Sequence, residues 1–373
     1  MDETSLKEKY GRIAKLVIER NLIVKKGDQV VIRTWDHTLD AAGELYYAAR
    51  SRGANPNILL TAEDQYFRVL RELEPKALKV KNTLMLGIAS HANVDIFLSG
   101  PRDPIKFQAV PYDKIRAAYD EETDKELEKI AKRRKVRSAF LNIGQATPER
   151  AKAYGIDYEP WRNAMLDALM VDPVEFAKKA RPIMAIIKKG KELKIKSRNG
   201  SKLTVKLAMR DPVLDDGVLR PADVNKGDTF VHLPSGVVFF APLEGSAEGK
   251  LLYDMPTASR GRLVRNIRLD IERGKVVGID AKENKDELMA SIGGEKELKK
   301  LELGYITIGV NPAAKPWFLD HQMAPGVVGV HFGANKGFGG KITKADSFMG
   351  GFSQYATLEV DGKPIVKKGK IVQ

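Results

Sequence analysis

The chain has 373 residues, 43% of them hydrophobic, with 63 Lys and Arg against 49 Asp and Glu, a formal net charge of +14 and no cysteine. That length accommodates two domains with separate cores, and the lack of cysteine excludes disulfides, thiolate catalysis and Cys-ligated zinc. No run approaches the roughly 18 apolar residues of a membrane span, and the charged start MDETSLKEKYGR has no apolar signal core, so the cytoplasm is the expected location.

In chain order, Ser5–Arg20 carries Ile13, Leu16, Val17 and Ile18 at helical spacing and is predicted to be an amphipathic helix. A turn at Lys25-Lys26-Gly27-Asp28 leads into a strand over Gln29–Arg33. A helix over Leu39–Arg52 has Leu39, Ala42, Leu45, Tyr46 and Ala49 on one face. Gly53-Ala54-Asn55-Pro56 stops it before the next strand, Asn57–Leu60. This is a βαβ unit, the building block of a parallel sheet. The turn Thr34–Thr38 lacks the glycines of a phosphate loop, and His37 reads as an ordinary loop residue near a helix start. Helix is expected over Ala62–Leu73 and Asp124–Arg134, strand over Val94–Leu98 and Val136–Ile143, and a helix start at Thr147-Pro148. His91 falls in a loop on this reading. The alternation predicts a Rossmann-like or flavodoxin-like parallel-sheet domain.

Residues 150–189 read as mostly helical. From Lys191 the apolar period becomes two, with Asn199-Gly200 between Leu193, Ile195 and Leu203, Val205, Leu207, which signals a hairpin. Strands are predicted at Thr229–Leu233, where His232 would sit on a strand edge, and at Val237–Ala241, Leu263–Glu272, Val276–Asp280, Tyr305–Val310, Val327–Phe332, Ala356–Val360 and Pro364–Val366. Short helices fall at Asp286–Ser291 and Glu295–Leu301. The second half is therefore expected to be a mainly antiparallel α+β domain, with the border between residues 190 and 191.

The basic residues are interleaved with acids and are dense only in Lys132–Arg137, Lys188–Lys196 and Lys367–Lys370. A Lys-rich, cysteine-free surface suits a thermophile, and we take this in preference to nucleic-acid binding. An RNA or ribonucleoprotein partner would require the clusters on one face and an affinity falling steeply with salt.

Four segments share a frame with a known family. They are Leu233–Pro242 (LPSGVVFFAP), Leu303–Pro312 (LGYITIGVNP), Gly326–Gly340 (GVVGVHFGANKGFGG) and the stretch before the Asp361-Gly362 turn. The chain resembles the thermophilic metallo-aminopeptidase family (aminopeptidases T and S and leucyl aminopeptidase-like relatives) over nearly its whole length. The resemblance implies a homodimer enclosing a cavity. It also implies release of N-terminal residues from peptides by metal-bound hydroxide, with two glutamates, two histidines and an aspartate holding the ions.

Carried over position by position, the family's ligand places hold Val237, Tyr305, Gly329, Phe348 and Gly350 here. Valine, glycine and phenylalanine offer no donor, and a neutral tyrosine is a poor one. The expectation is a divergent member with the fold kept, the dinuclear centre lost and no cofactor. Zinc, cobalt or manganese would enter only through a relocated site drawn from His331, His321, Asp320, Asp346 and Glu244. His331, two residues beyond Gly329, would share its strand face about 7 Å along at ~3.3 Å per residue. Ser235 and Ser246 lie near glycines without a nucleophile elbow, and Glu244-Gly245-Ser246 reads as a structural turn at the rim of the cleft. The glycine-rich loop 333–340, with Asn335, Lys336 and Lys341, is a candidate ligand-binding nest. The competing functions are thus an active metallo-aminopeptidase with shifted ligands, a metal-free protein binding a peptide or small molecule in the old inter-domain cavity, and a nucleic-acid binder. No membrane partner is expected.

Overall fold

The structure is a computed structural model of the chain and describes residues 3–118, 121–316, 321–343 and 349–372. Asp320, Asp346 and Phe348 lie outside the described residues. Chain contacts divide the protein into two units, Met1–Met170 with Gly217–Pro234, and Val171–Asp216 with Ser235–Gln373.

The first unit is built on a parallel sheet. Its strands β1 (Gln29–Trp35), β2 (Asn55–Thr61), β3 (Val94–Leu98) and β4 (Arg137–Leu141) are joined by a fifth, Phe230–Leu233, in the order β2-β1-β3-β4-fifth. The chain leaves β1 for β2 on one side and then crosses to β3 on the other. This is the flavodoxin-like winding, with its switch between β1 and β3. Ile13, Val17 and Ile18 of the first helical stretch and Ala42, Leu45 and Ala49 of helix Leu39–Ser51 pack in one core with Val30, Ile32, Val94, Ile96, Ala139 and Leu141. Each large aliphatic side chain buried there contributes roughly 1.5–3 kcal/mol. That gain selects the helical face on which the apolar residues recur.

Two expectations need correction in this unit. The strand read at 229–233 belongs to the parallel sheet, pairing Ser138 with Phe230 and Leu141 with Leu233, because period-two apolarity does not encode which sheet a strand joins. His91 ends a helix, Thr83–His91, rather than lying in a loop. The helix was hidden because Leu84, Met85, Leu86 and Ile88 give no amphipathic period.

The second unit contains a two-stranded antiparallel sheet, Thr257–Ser259 with Arg262–Val264, and two large ones. One has eight strands and includes the hairpin of Glu192–Lys196 and Lys202–Lys206 around Asn199-Gly200, where Gly200 takes the left-handed φ of +118°. The other has five strands, in the order Met349–Ser353, Val328–Phe332, Leu303–Gly309, Val237–Phe240, Val213–Asp215. The helix Pro173–Lys189 adds Phe176, Ala180, Ile183 and Ile187 to this unit's core. Its buried stripe draws the unit border back to Val171 from the expected 190/191. The protein thus combines an α/β parallel-sheet unit with a mainly antiparallel α+β unit.

Candidate functional site

The five-stranded antiparallel sheet brings four of the resemblance positions together, Val237, Tyr305, Gly329 and Gly350. Its register pairs Tyr305 with His331 and Thr307 with Gly329. It also pairs His331 with Gly350 and Gly329 with Phe352, and Gly309 with Val237 and Thr307 with Phe239. Directly paired residues share a face, as do residues two apart along a strand. Val237, Tyr305, Gly329 and Gly350 therefore lie on one face of one sheet, where side chains could converge on a common point.

Aromatic rings fill that face. The His331 imidazole stacks on Tyr305 with centroids 4.5 Å apart and planes 11° from parallel. It meets the Phe352 ring edge-on at 5.3 Å, and its Nε2 lies 3.4 Å from Thr307 Oγ1. His321 meets Phe352 at 4.6 Å. Next to Tyr305, Phe239 and Phe338 stack at 4.8 Å, with Phe338 4.7 Å from the Tyr305 ring.

The glycines are what let the imidazole lie there. A Cβ at Gly350 would stand 2.3 Å from His331 Nδ1, and one at Gly329 would stand 2.7 Å from Nε2 and 2.2 Å from Thr307 Oγ1. Burial pushes the His331 imidazole down to about 3 and the Tyr305 phenol up to about 12, so both are neutral near pH 7.

These residues do not fit the two-metal centre of the resemblance. Val237 and the two glycines carry no donor atom, and Tyr305 holds its proton. Dinuclear hydrolysis needs anionic carboxylates and imidazoles around both ions. Among the described residues, the only three His, Asp or Glu groups close enough to share an ion are Asp36, His37 and Glu63, in the parallel-sheet unit. Nothing in the sequence spacing signalled that group.

The other candidates have structural engagements. Glu244 makes a two-pronged ion pair with Arg210, at 3.0 and 2.7 Å, and accepts hydrogen bonds from Asn335 Nδ2 at 3.0 Å and the Lys341 backbone N–H at 2.8 Å. Burial pushes against its charge, but these donors outweigh burial and hold the carboxyl down at about 2. Its oxygens are committed to closing the glycine-rich loop rather than to a metal. Asn335 is 1% exposed; its Nδ2 also donates to Gly304 O and its Oδ1 accepts from the Ile342 N–H. The nest is thereby filled from within by Asn335, and the Lys341 N–H faces Glu244. Lys336 opens the short turn Lys336–Phe338 and is exposed.

Ser246 Oγ donates to Leu243 O and accepts from the Lys206 N–H, and Ser235 is buried. His232 lies on the edge strand between the Phe140 and Phe230 rings. Several lysines of the basic runs pair with acids close by: Lys132 with Glu128, Lys188 with Asp211, Lys194 with Glu192 and Lys196 with Glu359. Arg137 pairs with Asp28.

Among solved structures, wild-type AmpT from Thermus thermophilus is similar over 99% of this chain and 100% of its own, with a TM-score of 0.74 and 18% identity. The 2,5-dihydroxypyridine dioxygenase of Pseudomonas putida KT2440 is similar over 100% of this chain and 98% of its own, with a TM-score of 0.60 and 16% identity. At these identities the likeness is one of fold, and the fold evidently hosts more than one chemistry. No curated protein sequence matches. The family model described as thermophilic metalloprotease (M29) matches residues 6–301. It runs through the whole parallel sheet and into the antiparallel unit, so the chain belongs to the thermophilic metalloprotease (M29) family.

Proposed function

We propose that this chain is a non-hydrolytic member of its family, an aminopeptidase scaffold in which an aromatic cluster stands where the dinuclear centre would be. The observation that carries this reading is the His331 ring, which lies over Gly329 and Gly350 and flat against Tyr305. One imidazole takes the space that the family's histidine and aspartate would need. Among the described residues, Val237, Gly329 and Gly350 on this face bring no donor and Tyr305 keeps its proton, which favours a face without a bound divalent ion or its hydroxide.

On this reading the protein binds and does not cleave. Phe239, Tyr305 and Phe338 are half-buried, and the exposed Lys336 begins the turn that carries Phe338. Half-open stacked rings suit an apolar or aromatic group, such as the first side chain of a peptide or the ring of a small molecule. The self-paired lysines of the basic runs favour this over a nucleic-acid role.

The test combines activity with location. Protein supplied with Zn2+, Co2+ or Mn2+ should leave aminoacyl chromogens uncut, and peptides beginning with Phe or Leu should perturb the near-UV circular dichroism of the aromatic cluster. Hydrolysis, together with an anomalous-scattering peak beside His331 or His321, would sink the proposal.

A further inference from the structure

We propose that the parallel-sheet unit carries a site for one divalent transition-metal ion, held by a carboxylate oxygen of Asp36, Nδ1 of His37 and a carboxylate oxygen of Glu63. The site involves this unit alone and does not depend on the reading of the antiparallel unit.

Its place in the fold is where an open parallel sheet binds ligands, beyond the carboxyl ends of the strands at the switch between β1 and β3. Asp36 and His37 directly follow β1, in the turn Asp36–Thr38, and Glu63 opens the helix that follows β2. The Glu63 carboxylate accepts the backbone N–H of Arg102, in the segment after β3. The His37 ring reaches Gly144, in the turn after β4. Four strand ends thus converge on three potential ligands, whose donor atoms all lie within 4.8 Å of one another.

The imidazole is set up as a ligand. Its Nε2 lies 3.2 Å from the Gly144 carbonyl, which can only accept, so the ring proton sits on Nε2 and Nδ1 presents its lone pair. A metal-bound histidine is oriented in the same way, its second nitrogen donating to a carbonyl or carboxylate. The side chain is 7% exposed, its Nδ1 has no hydrogen-bond partner, and Asp36 Oδ1 lies 3.9 Å from it. Two electron-rich atoms facing each other at this distance are an arrangement that a cation between them would satisfy.

The cradle is built for this ring. A Cβ at Gly144 would stand 3.1 Å from His37 Nε2, 2.4 Å from Thr38 Cγ2 and 2.3 Å from Ser99 O, so only glycine fits beneath it. The carboxylates are oriented as well. Asp36 Oδ1 accepts the His37 N–H at 2.9 Å and Oδ2 the Glu63 N–H at 3.2 Å, which leaves each oxygen a further lone pair.

Lys106 is the internal competitor, 2.9 Å from both Glu63 and Asp64. Its ammonium can stay on Asp64 while an ion takes Glu63. Asp36, Glu63, Asp64 and Asp103 bring four negative charges against the three positive charges of Lys106, Arg102 and Arg150, so the surroundings are net negative by one before an ion binds. Imidazole with two carboxylates suits zinc, cobalt, nickel or iron over calcium or magnesium. Asp36, with its side chain 48% exposed, is the open side by which an ion enters. Binding must draw the donors together by about 1 Å, to the ~3.4 Å separation set by metal bonds near 2.1 Å.

The test uses the full chain, stripped with chelator, dialysed and titrated with Co2+ while visible d–d absorption is followed. One equivalent should bind and be displaced by Zn2+, and His37→Gln, Asp36→Asn and Glu63→Gln should each weaken uptake at least ~10-fold. Glu63→Gln also disturbs the Arg102 contact, so if it fails to fold, Asp36→Asn decides, since its amide oxygen can still accept the His37 N–H. The proposal is overturned if the wild type takes up no Co2+ saturably, or if uptake is unchanged in Asp36→Asn and His37→Gln.

Discussion

Tyr305 and His331 face each other across two antiparallel strands, their rings 4.5 Å apart and nearly parallel. A stacked pair of this kind contributes about 0.5–1.5 kcal/mol beyond the area it buries. Each ring also keeps water from the other, which is why one holds its proton and the other refuses one. A metal centre requires the reverse, exposed lone pairs and net negative charge. The two arrangements exclude each other at one spot on the sheet, and the consequences can be measured.

Restoring single family residues should harm the protein rather than revive it. Gly350→Asp would put a Cβ 2.3 Å from His331 Nδ1, and Gly329→His would put one 2.2 Å from Thr307 Oγ1. Overpacking of this sort costs roughly 1–3 kcal/mol. Combining Gly350→Asp with His331→Ala should recover part of the loss, giving a positive coupling in a double-mutant cycle of urea melts. Additive losses would mean that the ring does not occupy that space.

Acid should weaken the fold through His331. Its folded pKa is about 3 against 6.5 in the unfolded chain, so between these values the unfolded state binds the extra proton. The contribution is complete above pH 6.5 and is lost as pH falls toward 3. At pH 5 the loss amounts to ~2 kcal/mol. In His331→Phe the fall in stability between pH 7 and 5 should shrink by about that amount, because His37 and His232, also lowered by burial, remain in both proteins. An unchanged pH slope would show that the imidazole titrates near its ordinary value.

Glu244 works at the other end of the pH scale. Its pKa of about 2 lies below the unfolded 4.5, so its stabilisation is present above 4.5 and disappears as pH falls through 2. Glu244→Gln, which leaves the buried side of Arg210 without a charge partner, should cost about 1.5–3 kcal/mol at pH 7. Hydrogen exchange at the Lys341 amide, which now donates to this carboxylate, should accelerate. Exchange that stays as slow as in the wild type would exclude Glu244 as the anchor of the glycine-rich loop.

Much of the architecture could be read from local pattern. Asn199-Gly200 marks its hairpin because the turn demands positive φ, and the stripe Ala42, Leu45, Ala49 marks the buried helix face. What local pattern lacks is sheet membership. Phe230–Leu233 has the alternation of any half-buried strand, and only tertiary pairing assigns it to the parallel sheet. Met349–Ser353 escaped notice because Gly350 and Gly351 have no β propensity, although the close approach of His331 and Tyr253 requires glycine at both. The site divides in the same way. That Val237 and Gly329 carry no donor is visible in the sequence, whereas the packing of the His331 ring over Gly329 depends on strand register. The grouping of His37 with Glu63 depends on how β1 and β2 end side by side.

The most discriminating substitution is Tyr305→Glu, which puts a carboxylate where the resemblance implies a ligand. The same burial that holds the Tyr305 phenol at about 12 would act on the new carboxyl and raise its folded pKa above the unfolded value near 4.3. A raised pKa means stability that is present at low pH and lost as pH climbs through the folded value. The variant should therefore melt closer to the wild type at pH 5 than at pH 8, the opposite of the trend expected from His331. A fall of 2 kcal/mol corresponds to a drop in Tm of roughly 4–8 °C for units of this size. Added Zn2+ should not restore the loss at pH 8, because Val237, Gly329 and Gly350 offer no donor and the His331 ring lies packed between residue 305 and Phe352. A zinc-dependent rise in Tm specific to this variant would mean that enough of the ancestral donor set survives on that face for one carboxylate to complete it.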